Sequence, residues 1–261
     1  MGDPSGPAFP LRFPAAPNTL PHPMKNILVL AACAGLLALG SVSAAEPAPG
    51  TQTAQSFTTA AGTLHYWLWL PKDSPPEGAP LLVFLHGAGE RGDDLAVVKK
   101  HGPPKLVDSL PAVQPFIVVS PQCPKEQWWN VDLVKALTDS VVEKFKADRA
   151  RLYLTGLSMG GYGTWAITTQ FPDFFAAAVP VCGGGDPAQA ARIKDLPIRV
   201  YHGAKDEAVP LVRSQEMVDA LKAAGAKDVE LTVYPDLAHD SWTPTYADPK
   251  LYEWLLTKRR K

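Results

Sequence analysis

Cysteine is scarce in this chain, with only Cys33, Cys123 and Cys182 among 261 residues. There is no paired Cys-x-x-Cys, no His-Glu-x-x-His and no pair of histidines at helical spacing, so the usual zinc and metalloprotease patterns are missing. We therefore expect no metal and no cofactor. Charge of one sign is lacking too. Twenty-five Lys and Arg stand against 26 Asp and Glu, for a net charge of −1, and the isoelectric point is near 6.6. A balanced chain has no electrostatic footprint for nucleic acid or an anionic membrane surface. Nor is there an apolar run of the ~20 residues needed to span a bilayer. The longest is the thirteen residues from Ile27 to Leu39.

That run belongs to an N-terminal region unlike the rest. Residues 1–23 hold seven prolines and hardly any charge, which reads as an extension upstream of the native start. Met24-Lys25 then supplies a short basic start, Ile27–Leu39 an apolar stretch, and Ser43-Ala44-Ala45 small residues for a signal peptidase. We read 24–45 as a signal peptide cleaved after Ala45, 46–55 as a linker and 56–261 as the catalytic domain of an exported protein. Leu30-Ala31-Ala32-Cys33 offers the alternative of a lipoprotein tethered through Cys33. A body of about 215 residues fits one domain with one large core. Lys258-Arg259-Arg260-Lys261 reads as a solvated tail.

Apolar segments alternate with helical ones through this body. A hairpin from about Ser56 to Leu70 is followed by strands near 81–85, 116–120, 151–155, 176–181, 198–202 and 229–234. Helices are expected near 93–109, 130–146, 161–170, 186–194, 211–224 and 248–257. This order predicts an α/β fold with a mostly parallel sheet of about eight strands, covered on both faces, with its site at the strand carboxyl ends. No internal repeat is evident.

Gly156-Leu157-Ser158-Met159-Gly160 directly follows the apolar run Arg151–Thr155. Its glycines permit a sharp strand-to-helix turn in which the residues two before and two after the serine touch. A serine hydroxyl needs a base to take its proton and a carboxylate to orient that base. Asp206 follows the strand Ile198–Gly203, ahead of Glu207, which is the weaker choice because it lies further from the strand end. His239 follows the strand Glu230–Tyr234, with Asp236 and Asp240 read as loop caps. An oxyanion hole would use the Met159 N–H and the Ala88 N–H, the latter from the glycine-rich loop His86–Gly92.

Gly87-x-Gly89-x-x-Gly92 also matches a dinucleotide fingerprint. The next strand, however, ends in Ser120-Pro121-Gln122 without the acidic residue that would hold a ribose. His86 and His202 read as buried structural imidazoles. Trp67 and Trp69 read as one face of a strand and Trp165 as core. Trp128, Trp129 and Trp242, with Glu90 and Tyr162, are the candidate substrate-binding residues; for Glu90 and Arg91 a loop-shaping salt bridge is the competing reading.

The order Ser158, Asp206, His239 resembles that of the α/β-hydrolases. The versions of His86–Gly92, Pro121-Gln122-Cys123-Pro124, Gly156–Gly163 and His239-Asp240-Ser241-Trp242 resemble those of bacterial carboxylesterases, phospholipases and dienelactone hydrolases. They are most similar to secreted "predicted peptidase" or polyhydroxybutyrate-depolymerase-like esterases. The resemblance runs from about Ser56 to Leu256. It implies an α/β-hydrolase fold and a serine esterase acting on a small or polymer-attached ester, with no nucleic-acid partner and no stable membrane anchor. Feruloyl or acetyl esterase, peptidase and lactone hydrolase remain open with the same triad, and a non-catalytic binding module is the rival from another class.

The resemblance also implies that a cap domain would enter after Val181. Only 24 residues separate Val181 from Asp206, so no cap is expected. In the strand order it implies, two strands lie between Cys123 and Cys182. At ~4.8 Å per strand the two would be about 14 Å apart, beyond bridging distance, so two free buried thiols are expected.

Overall fold

The computed structural model describes residues 47–260. The expected extension and signal peptide, residues 1–45, lie outside that range, as does Cys33. Eight strands form one sheet: β1 (Gln52–Thr59), β2 (Gly62–Trp69), β3 (Leu81–Leu85), β4 (Ile117–Pro121), β5 (Leu152–Leu157), β6 (Ala177–Val181), β7 (Ile198–Gly203) and β8 (Val229–Tyr234). Their spatial order is β1-β2-β4-β3-β5-β6-β7-β8. The β1–β2 and β2–β4 pairs are antiparallel, and every later pairing is parallel.

Every residue of β3, β4, β5 and β6 is buried, as a parallel sheet covered on both faces requires. Alternation along the strands divides the core. Leu81, Val83 and Leu85 join one cluster, while Leu82 and Phe84 join another on the opposite face. Trp69 packs with the second cluster and Trp165 with the first.

Helix α1 (Gly102–Leu106) is short, and α2 (Val131–Phe145), α3 (Met159–Gln170), α4 (Val212–Ala223), α5 (Trp242–Ala247) and α6 (Pro249–Leu256) follow. The Asn130 side chain caps α2 by accepting from the Leu133 N–H at 3.0 Å. Leu133, Val134, Leu137, Val141 and Val142 supply its buried face, the 3.6-residue periodicity expected of a helix lying on a sheet.

Several boundaries differ from expectation. The single helix expected over 93–109 is a 3₁₀ segment, Leu95–Lys100, followed by α1. Gly102 has φ +67° and is followed by two prolines, a combination that interrupts a helix and restarts it. Residues 187–193 are likewise 3₁₀ rather than α. The expected linker 46–55 is partly strand: Gln52 already pairs with Trp69, because the eight residues of β2 template a partner of equal length whatever its polar composition. Helix α5 has no counterpart among the expected helices, and it contains Pro244. It falls in the first turn of the helix, where its missing N–H costs nothing.

The tail is not merely solvated. Lys258 reaches Asp228 at 2.7 Å, Arg259 reaches Asp148 at 3.0 Å and Arg260 donates to the Asp173 carbonyl at 2.9 Å. Such surface pairs are worth ~0–1 kcal/mol each.

Cys123 and Cys182 are free and buried, with β3 and β5 between the strands they follow. Only a 3₁₀ segment and β7 occupy the chain between Val181 and Asp206, leaving no cap. Among the described residues no helix is long and apolar enough to cross a membrane.

Candidate active site

Ser158 sits between β5 and α3 at φ 52°, ψ −117°, a region that costs of order 1–3 kcal/mol and persists only where neighbours fix it. Its N–H donates to the Val181 carbonyl at 2.9 Å, and its own carbonyl accepts from Tyr162 N–H at 3.0 Å. The turn closes so tightly that a Cβ on Gly156 would strike the Gly160 carbonyl, and one on Gly160 the Leu85 carbonyl. The glycines at these two positions are thus the condition for presenting the hydroxyl.

Two further loops complete the constellation. The His239 Nε2 lies 2.9 Å from Ser158 Oγ, and its Nδ1 lies 2.7 Å from Asp206 Oδ2. The Asp206 side chain is fully buried, but its other oxygen, Oδ1, accepts from the Ala208 and Val209 N–H groups at 3.0 and 2.9 Å. Because those two amides hold one oxygen, the other is aimed at the imidazole.

The loops carrying Asp206 and His239 approach each other across Gly203, where a Cβ would collide with the Ala238 carbonyl. Gly203→Ala should therefore lower stability by about 1–3 kcal/mol, roughly 2–10 °C in Tm. A shift of the His239 loop by ~1 Å can cost about 10²-fold in turnover. Thermal melts and kinetics on the variant check both; an unchanged Tm would mean the loop yields freely.

Met159 opens α3 and Ala88 opens a 3₁₀ turn, Ala88–Glu90. First-turn N–H groups have no partner within their own helix, so both are available donors. The loop carrying Ala88 abuts the Ser158 turn: a Cβ on Gly87 would lie 3.6 Å from Ser158 Cβ. The Arg91 Nε donates to the Ala88 carbonyl at 3.0 Å and its Nη1 to that of Gln127 at 3.3 Å, bracing the loop.

The tryptophans divide. Trp128 is 64 % exposed and stands edge-on to Tyr162, their centroids 6.0 Å apart. Trp129 is a correction to the expected aromatic wall. It is buried, donates Nε1–H to the His86 carbonyl at 3.3 Å and packs edge-on to the His86 ring, so it supports the glycine-rich loop from below. Trp242 packs edge-on to His239 and donates its Nε1–H to Nδ1 of His101 at 3.3 Å. Glu90 is buried, and its Oε1 lies 3.9 Å from Nε2 of His101 rather than pairing with Arg91. Glu90, His101 and Trp242 thus make a continuous wall ending on the His239 ring.

Three buried residues near the site carried no functional expectation. Cys182 has a positive φ of 39° and brings its sulfur, with ligand-type atoms of Asp206 and His239, into a group within 4.8 Å of one another. Burial pushes its thiol up to about 12, which makes it a poor nucleophile beside Ser158. His202 is fully buried beneath Asp206. His86, also buried, hydrogen-bonds through Nδ1 to the Gly87 carbonyl and accepts the Cys123 N–H at Nε2. Burial lowers it to about 4, so it is a neutral strut for the loop.

A model of the prolyl oligopeptidase family matches residues 126–199 and 185–257, together about half of the chain. The chain belongs to this family. It is an α/β-hydrolase, as the resemblance implied, and a solved thermostable esterase is 36 % identical, with a TM-score of 0.70 over 80 % of this chain and 63 % of that one. Poly(3-hydroxyalkanoate) depolymerase C of Paucimonas lemoignei is 29 % identical over 49 % of this chain and 33 % of its own length. An endo-1,4-beta-xylanase/feruloyl esterase of Xylanibacter ruminicola is 30 % identical over 64 % of this chain and 25 % of its own length. This α/β-hydrolase chain thus spans only a third or less of those two relatives.

Proposed function

We propose that this α/β-hydrolase is a carboxylic ester hydrolase that works through an acyl-Ser158 intermediate. The observation that carries this is the continuous line of hydrogen bonds from Ser158 Oγ through the His239 ring to Asp206. His239 Nε2 takes the hydroxyl proton as Ser158 attacks the ester carbonyl. The Met159 and Ala88 N–H groups receive the charge on the carbonyl oxygen, and the alcohol leaves with the proton held by His239. Water activated by the same imidazole then releases the acid and restores Ser158. Asp206 orients the ring and stabilises the imidazolium.

The esterase and depolymerase names among the relatives support an ester over an amide, while the family's description keeps a peptidase as the second reading. The open rim with Trp128 at its edge suits a soluble ester or one attached to a polymer such as feruloylated or acetylated xylan.

A fluorophosphonate probe followed by peptide mapping should label the peptide holding Ser158 and no other. In parallel assays, p-nitrophenyl acetate and feruloylated oligosaccharide should be cleaved faster than a peptide anilide or a lactone. Absence of both labelling and ester cleavage in folded protein would point to a binding module, and preferential anilide cleavage to the peptidase.

A further inference from the structure

His202 lies on β7, four residues before Asp206, and no part of its side chain meets solvent. Its Nε2 hydrogen-bonds the Val209 carbonyl at 2.8 Å and has Asp206 Oδ2 beside that bond at 3.2 Å. Its Nδ1 faces Ser214 Oγ at 2.8 Å, and that hydroxyl also reaches the Gly183 carbonyl at 2.8 Å. A lone pair on Nε2 would point at a carbonyl and a carboxylate, both pure acceptors, whereas Nδ1 faces a hydroxyl whose one proton can turn to it instead of to the Gly183 carbonyl. The proton therefore belongs on Nε2. Burial holds the ring below ordinary imidazole basicity, so a neutral ring must choose between its two nitrogens.

This places a second imidazole on the same carboxylate oxygen that orients His239. Oδ1 is occupied by two backbone amides; Oδ2 receives Nδ1–H of His239 and faces Nε2–H of His202. We propose that His202 is a positioning residue for the Ser158–His239–Asp206 site, its Nε2–H sharing Asp206 Oδ2 and setting how strongly that oxygen holds His239. The inference rests on the esterase reading of that site.

The sign of the effect follows. Removing a donor from Oδ2 leaves the carboxylate a stronger acceptor, which favours the imidazolium form of His239. The low-pH limb of activity, where the base is protonated, then moves to higher pH. Other titratable groups around the pair are Cys182 at the end of β6, Tyr162 on α3, which feels the Asp206 charge, Asp240 beside His239, and His101 behind Trp242. All are left in place by a substitution at 202.

Two measurements test it. In wild-type protein labelled at the histidine nitrogens, long-range ¹H–¹⁵N spectra should find Nε2 of His202 protonated at neutral pH. In kinetics on p-nitrophenyl acetate, His202→Leu should lower kcat about 10–100-fold, with little change in KM, and raise the low-pH limb by roughly half a unit or more. His202→Gln, which keeps an N–H donor, should recover most of the rate and return the limb toward wild type. An unprotonated Nε2, or a folded His202→Leu variant with an unmoved limb, overturns the proposal. Should His202→Leu not fold, the wild-type spectrum decides. Failure of wild-type protein to turn over esters would instead remove the esterase reading, which the tautomer measurement does not depend on.

Discussion

Ser158→Ala should abolish ester hydrolysis, with kcat falling about 10⁶-fold, and should erase fluorophosphonate labelling, while the melting curve stays close to that of the parent. The fold tolerates the change because the features that hold the turn do not involve the hydroxyl. Backbone bonds to Val181 and from Tyr162 fix residue 158, and the Gly156–Gly160 contact closes the loop. Alanine carries the same Cβ as serine, so the φ of 52° is no harder to adopt. Only the oxygen hydrogen-bonded to His239 disappears. A variant retaining more than about 1 % of parental turnover would mean that another group attacks the ester.

Asp206→Asn is expected to cost about 10⁴-fold in kcat, and the structure supplies the reason. Oδ1 of residue 206 accepts two backbone N–H groups, which an amide nitrogen cannot do. Asparagine must therefore keep its carbonyl oxygen there and turn its NH₂ toward His239. Facing a donor, the ring places its lone pair on Nδ1 and its proton on Nε2, against Ser158. A base that already carries the proton it should accept is inactive. The same NH₂ would oppose Nε2–H of His202, so stability should fall as well. Steady-state kinetics and the ring tautomer by NMR check this; loss of rate with Nδ1 still protonated would refute the tautomer argument.

How much of this was readable beforehand depends on whether the signal is local. The Gly-Leu-Ser-Met-Gly turn follows an apolar run, and both facts sit within ten residues, so Ser158 stood out. Asp206 and His239 stood out because each follows a strand, and in a parallel sheet the carboxyl ends of neighbouring strands share one rim. The rest required distances. Trp128 and Trp129 are adjacent in sequence, yet one is exposed while the other is buried against His86, a difference set by the packing of α3 at Gly163.

His202 and Cys182 are less legible still. A histidine before glycine at a strand end reads as structural, and His86 is indeed a strut; nothing local separates it from His202, whose ring meets the carboxylate only because the loop 203–209 folds back. The helix break at His101–Pro104 and the early start of β1 at Gln52 both depart from the expected boundaries. In the first Gly102 and two prolines interrupt the expected helix, and in the second β2 dictates a strand within the expected linker.

Ser158 follows β5 in the middle of the sheet, whereas Asp206 and His239 come from loops after β7 and β8. A ribosome builds these parts in that order. On the proposed esterase reading, the hydroxyl at 158 stays an ordinary alcohol until residue 239 has been made and β8 has docked, so a polypeptide cut between the two would carry a scaffold without a trigger.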